Sequence, residues 1–114
     1  MIETTTNTVT ATVAVGDEPR AVAITPDGNF AYVINVSSDD MSKIDVATNT
    51  VTATITVGGG PGRVAITPDG DFSYVTNADS DNVSVIETAT NTVTATIAVG
   101  DNPIGVAITP EVGP

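Results

Sequence analysis

Three nearly identical decapeptides, NTVTATVAVG, NTVTATITVG and NTVTATIAVG, begin at Asn7, Asn49 and Asn91, a constant step of 42 residues. Self-similarity at a period of this size marks an array of supersecondary units, each unable to bury its own apolar surface and each stacked on a neighbour. The repeat continues between the decapeptides: AVAITPDGNFAYVIN (21–35) returns as VAITPDGDFSYVTN (64–77), and VAIT recurs at 106–109. With 114 residues the chain holds about 2.7 periods.

Within one period the apolar spacing is two. Val9, Ala11, Val13 and Val15 alternate with Thr8, Thr10 and Thr12, which predicts a strand with one wet face, threonine suiting it through its branched Cβ and its hydroxyl. AVAIT and VAIT are apolar on both faces and predict an inner strand covered on both sides. Between inner and outer strands lie NFAYVIN (29–35) and DFSYVTN (71–77), then MSKIDVAT (41–48) and NVSVIETAT (82–90). The PDG at 26–28 and 68–70 supplies a tight turn, proline presetting φ and glycine accepting a positive φ. Four short antiparallel strands per period, with no helical periodicity, predict an all-β chain of propeller blades. The expected division is a partial strand c with strand d over 1–18, a blade over 19–60, a second over 61–102, and the inner strand of an incomplete blade over 103–114.

At AYVIN (31–35) and SYVTN (73–77), preceded by TPDG and followed by NTVTATIxVG, the chain resembles the YVTN family of β-propeller repeats. SYVTN carries the signature intact and AYVIN has Ile34 in place of threonine. That family includes proteins similar to archaeal surface-layer proteins and bacterial periplasmic propellers. The resemblance implies a ring of radially packed blades, commonly seven, in an extracellular or cell-surface protein. Seven periods need about 300 residues, so the chain is expected either as a piece of a longer propeller or as a short form completed by self-association. No signal peptide is expected in it, because MIETTTNTV lacks a basic start and an apolar core.

Composition removes several function classes. Three Lys and Arg face 14 Asp and Glu, for a net charge of −11, which disfavours nucleic acid and anionic membrane surfaces. No run is long enough to insert in a membrane. The absence of histidine and cysteine removes the commonest general base, the commonest transition-metal ligand and every disulfide. No nucleophile stands beside a base, so no catalytic residue, cofactor or metal site is expected, and the chain is read as non-enzymatic.

Antiparallel connectivity gathers the loops before each inner strand and the loops between the second and third strands at one rim. Asp39, Asp40, Asp79 and Asp81 there are hard-cation candidates, yet neither segment has the spaced ligands and glycine of a calcium loop; the alternative is turn formation, in which Asp and Asn bond their own backbone. Arg20 and Arg63 are candidates for an anion at the channel mouth, the alternative being pairs with neighbouring acids. Phe30, Tyr32, Phe72 and Tyr74 recur in phase, as blade packing demands. GGGPG (58–62) precedes a strand and not a helix, so it is expected as a turn and not a phosphate cradle. Asn35-Val36-Ser37 and Asn82-Val83-Ser84 fit the N-glycosylation pattern. The function expected is a structural or protein-interaction module, partnered by further blades or by itself. The alternative is a ligand-binding or redox-associated propeller whose site other blades or subunits complete.

Overall fold

The computed structural model describes residues 1–109. In chain order its strands are β1 (Ile2–Glu3), β2 (Thr8–Val9), β3 (Pro19–Ile24), β4 (Phe30–Asn35), β5 (Asp40–Asp45), β6 (Thr50–Thr56), β7 (Pro61–Ile66), β8 (Phe72–Asn77), β9 (Asn82–Glu87) and β10 (Thr92–Ala98). β3 to β6 form one four-stranded antiparallel meander and β7 to β10 a second, while β1 pairs with β2 alone. The architecture is all-β, and its unit is the four-stranded blade.

Local chemistry explains each turn. In Thr25-Pro26-Asp27-Gly28 the Thr25 hydroxyl donates to Asp27 Oδ1 at 2.6 Å, the Asn29 N–H donates to the same oxygen at 2.9 Å, and Gly28 takes φ 78°. Thr67 to Asp71 repeats this, with Gly70 at φ 78°. The repeated Asn7, Asn49 and Asn91 all sit at φ 55–57°, a left-handed conformation that asparagine tolerates better than most residues. They close the hairpins into the outer strands: the Asn49 N–H donates to the Asp45 carbonyl at 2.8 Å and the Asn91 N–H to that of Glu87 at 2.9 Å.

Register settles which faces meet. Across β3 to β6, Ala23, Tyr32 and Lys43 share a face with Ile34, Met41 and Ile55. Across β7 to β10, Val64, Ile66, Val75 and Ile86 share the opposite kind of face. These two faces pack together, and Tyr32, Ile34, Met41, Ile55, Val75 and Ile86 form the buried core, with Val64 and Ile66 against it. The core therefore lies between the blades and not inside either sheet.

Two segments that the period assigns to strands belong to no sheet. Thr10 to Gly16 continues β2 outside any ladder, apart from the Thr10 N–H donating to Met1 O at 2.9 Å and the Met1 amine to Ala11 O at 2.7 Å. Residues 103–109 are likewise in no sheet. Among the described residues neither has a strand beside it to complete the pairing that backbone groups require. Residues 110–114 of the expected last strand segment lie outside the described residues. The inner strand β3, expected to be covered on both sides, exposes Val22 and Ile24, which are 62% and 55% accessible.

Candidate functional site

The predicted rim exists, and its loops meet. The Asp17 N–H donates to Ser38 Oγ at 2.7 Å, and one period later the Gly59 N–H donates to Ser80 Oγ at 2.8 Å. Its acidic residues, however, are held by the loops themselves. Asp39 Oδ1 accepts the Gly60 N–H at 3.0 Å and Asp81 Oδ1 accepts that of Asn102 at 2.8 Å, so each ties its blade to the loop entering the next inner strand. Asp40 Oδ1 accepts the Asn35 amide at 2.8 Å. Asp79 lies against Gly60, where an added Cβ would come within 2.6 Å of its carboxylate. Among the described residues no three acidic side chains converge as a metal site would require.

The two arginines are also held locally. Arg20 Nη2 lies 3.3 Å from Glu18 Oε2, both side chains about half exposed, a geometry that adds little stability in water. Arg63 Nη1 donates to the Gly62 carbonyl at 3.0 Å. They share no partner, so the rim brings the loops together without assembling the six predicted side chains into one site.

At the centre of the rim architecture stand two residues that in the sequence read only as a glycosylation match and a motif letter. Asn35 and Asn77 are fully buried. The Asn77 amide donates to Asn82 Oδ1 at 2.8 Å and Ser84 Oγ at 2.9 Å, and its carbonyl accepts the Gly58 N–H at 3.1 Å. Asn35 makes the matching bonds to Asp40 and Ser42, but its Oδ1 has no partner among the described residues. The glycine that ends each decapeptide is required here: a Cβ on Gly16 or Gly58 would meet the buried asparagine at 2.8 or 2.7 Å. Buried as it is, the Asn35 amide is closed to glycosylation in the folded chain. The Ile34 departure from the signature also has a place, since Ile34 is core, whereas its counterpart Thr76 accepts the Arg63 N–H and donates to the Ile104 carbonyl at 3.1 Å.

The opposite end of the blades carries what the sequence did not announce. A cleft of about 400 Å³ opens between them, lined by Thr25, Pro26 and Asp27 of the first turn, by Asp69 and Gly70 of the second with Asp71, and by Phe30, Tyr32, Lys43 and Thr88. Lys43, the one lysine of the chain, is 9% exposed. Its Nζ donates to the Thr88 carbonyl and to Asn91 Oδ1, both at 3.1 Å, and sits 4.3 Å from the centre of the Phe30 ring. Burial lowers its pKa. The Tyr32 hydroxyl is buried without a hydrogen-bond partner among the described residues, and its pKa is raised, chiefly by burial and then by the charge on Asp27. Asp27 and Asp69 at the mouth are held below the ordinary carboxylate range, first by the Thr25 and Thr67 hydroxyls and then by backbone N–H groups. Phe30 and Tyr32 pack as blade residues, as their periodicity implied. Only the substitution of Lys43 where the next repeat has Val85 marked this end in the sequence.

Comparison with known proteins agrees with this architecture. The family model described as Lactonase, 7-bladed beta-propeller matches residues 2–108. No curated protein matches in sequence. Among solved structures, hydrazine synthase of Kuenenia stuttgartiensis is 35% identical with a TM-score of 0.75, over 82% of this chain and 27% of that one. A functionally unknown protein from Desulfotomaculum acetoxidans is 28% identical with a TM-score of 0.59, over 63% of this chain and 23% of that one. Apo AztD from Citrobacter koseri, 21% identical with a TM-score of 0.69 over 77% of this chain and 25% of that one, shares the fold. The chain thus spans about a quarter of the length of these structures.

Proposed function

The chain belongs to the Lactonase, 7-bladed beta-propeller family, and we propose that it acts as a non-catalytic structural and protein-interaction segment of a YVTN-type ring in a surface-layer-like, cell-surface setting. The setting rests on the AYVIN and SYVTN resemblance. The interaction rests on one observation: Val22 and Ile24 are exposed on a sheet face whose counterpart one period later, Val64 and Ile66, packs against the core. The same apolar pattern is thus used once inside the chain and offered once outside it. Its occupant is a further blade of the same type, presenting a face like that of Tyr74, Val83 and Ile97.

The chain's own residues supply docking surface and not a reaction centre. It contains no histidine or cysteine, and this reading leaves any reaction centre to other parts of a complete ring.

Light scattering over a range of concentrations tests the docking face. The expected result is association that grows with concentration and is weakened at least tenfold by Val22→Ser with Ile24→Ser, since about 1.4 kcal/mol is tenfold in affinity and each side chain contributes on that order when buried. A monomer at every concentration, or association that the double substitution leaves unchanged, would overturn it.

A further inference from the structure

We propose that the cleft between the blades, at the Thr-Pro-Asp-Gly end, binds a small zwitterion with its carboxylate at the floor beside Lys43 and Tyr32 and its ammonium at the mouth beside Asp27, Asp69 and Asp71. The site is independent of the docking face, because its lining comes from both complete blades and stands whether or not a third covers Val22 and Ile24.

The floor has donors that the protein does not use up. An ammonium carries three N–H groups; Lys43 spends two on neutral acceptors, Thr88 O and Asn91 Oδ1, and beyond these meets only the faces of the Phe30 and Tyr32 rings, 4.3 and 5.7 Å from Nζ, a weaker contact than a carboxylate. A buried cation is normally paired with an anion, yet in a chain with 14 acids no carboxylate lies within ion-pairing distance of Nζ among the described residues. Tyr32 adds a buried phenolic donor with no acceptor, and a buried polar group without a partner requires an explanation. Both residues line the same cleft; the Tyr32 hydroxyl has no surface open to water in the cleft, and a carboxylate seated against Lys43 would give it an acceptor once the ring shifts to meet it.

The mouth has acceptors with capacity to spare. Asp27 and Asp69 are exposed, and each receives its threonine hydroxyl and its backbone N–H on Oδ1 alone. Asp71 is exposed, and among the described residues its carboxylate has no hydrogen-bond partner. An anion alone would meet these carboxylates and a net charge of −11; a cation alone would meet the buried ammonium. A molecule carrying both charges fits both ends, and the cleft volume of about 400 Å³ lies in the small-molecule range. The fold contains its own control, because the corresponding cleft one period on, lined by Thr67, Pro68, Asp69 and Tyr74, belongs to a blade with Val85 where the first has Lys43.

Since the chain has one lysine, protein labelled with ¹³C at the lysine ε-carbon gives a single ε-methylene resonance that reports on the cleft floor. Glycine is the probe, with acetate and methylammonium as its separated halves. The expected result is a saturable shift with glycine, half-complete at about 1 mM, and at least tenfold weaker binding of either half. Tyr32→Phe, which keeps the ring in the core, should weaken glycine binding roughly fivefold, as loss of one hydrogen bond does; Asp71→Asn, on an exposed turn, should weaken it by a similar factor through the ammonium. No saturable shift with glycine, an equal response to acetate, or unchanged glycine binding in both variants would each overturn the proposal.

Discussion

The two complete blades are near copies in sequence and unlike in environment. Tyr32 and Ile55 of the first are 0% and 4% exposed, while Ile97, the counterpart of Ile55, is 46% exposed. On the other faces the order reverses: Ile24 is 55% exposed and its counterpart Ile66 packs on the core. Each blade has two apolar faces, and among the described residues only the pair of faces between the blades meets as sheet on sheet; the outer face of the second blade meets no more than the segment around Ile104. The comparison teaches that burial here belongs to the interface between repeats and not to the residue or its strand.

The sharpest way to break the equivalence is through the buried asparagines. Asn77→Ala removes three hydrogen bonds and Asn35→Ala two. Unfolding in urea should show a loss of about 3 kcal/mol for the first and about 2 for the second, because buried partners are left unsatisfied. Equal losses would mean that the Gly58 bond contributes nothing.

The apolar faces give the next contrast. Ile66→Ala should cost about 2 kcal/mol by the loss of packing, whereas Ile24→Ala should stay within about 0.5 kcal/mol, as exposed substitutions do. If a further blade is docked on the first, the cost at Ile24 rises towards that at Ile66, so the same pair of urea midpoints measures that docking.

Exchanging Lys43 for the residue its counterpart position holds is a smaller change. Lys43→Val removes a buried charge that has no carboxylate partner among the described residues, and stability at pH 7 should rise by up to about 1 kcal/mol. The sign with pH follows from the lowered pKa of Lys43, whose ordinary value is 10.5. The folded state sheds this proton before the unfolded state does, so the wild type gains on the variant as pH rises through the folded pKa towards 10.5. A gap in thermal midpoint that stays constant between neutral and alkaline pH would contradict it.

Smallest is the acid response of the Thr-Pro-Asp-Gly turns. The pKa values of Asp27 and Asp69 are lowered from 3.8, so their contribution is present above that value and is lost as pH falls through their folded pKa. Thr25→Val with Thr67→Val should flatten that part of the stability profile below pH 4, read by thermal melts.

Much of the fold could be read from a period, an alternation and a turn. The 42-residue step, Thr alternating with Val, and the PDG turns specify short antiparallel strands because side-chain direction has period two and turn residues have fixed φ preferences. The site was less legible. Asp39 and Asp81 read as rim ligands, but each has one carboxylate oxygen tied to a backbone N–H of a loop about 20 positions along the chain. In the sequence Asn35 shows as a glycosylation match and Asn77 as a motif letter; the glycines they pack against, Gly16 and Gly58, lie 19 positions earlier, a separation that no local pattern reveals. Lys43 is one of several positions at which the two repeats differ, with nothing to say that its ammonium would be capped by Thr88 and Asn91 of the following blade.

By itself, then, the sequence determined the unit: its strands, its turns and the two apolar faces of each blade, all consequences of chemistry within a few residues. The tertiary structure alone decided which face is buried, which acids are occupied, and that a lone lysine and a tyrosine hydroxyl share the floor of a cleft. The physical reason is that burial, desolvation and hydrogen-bond satisfaction are properties of pairs of surfaces, and the second surface arrives from a repeat dozens of residues away.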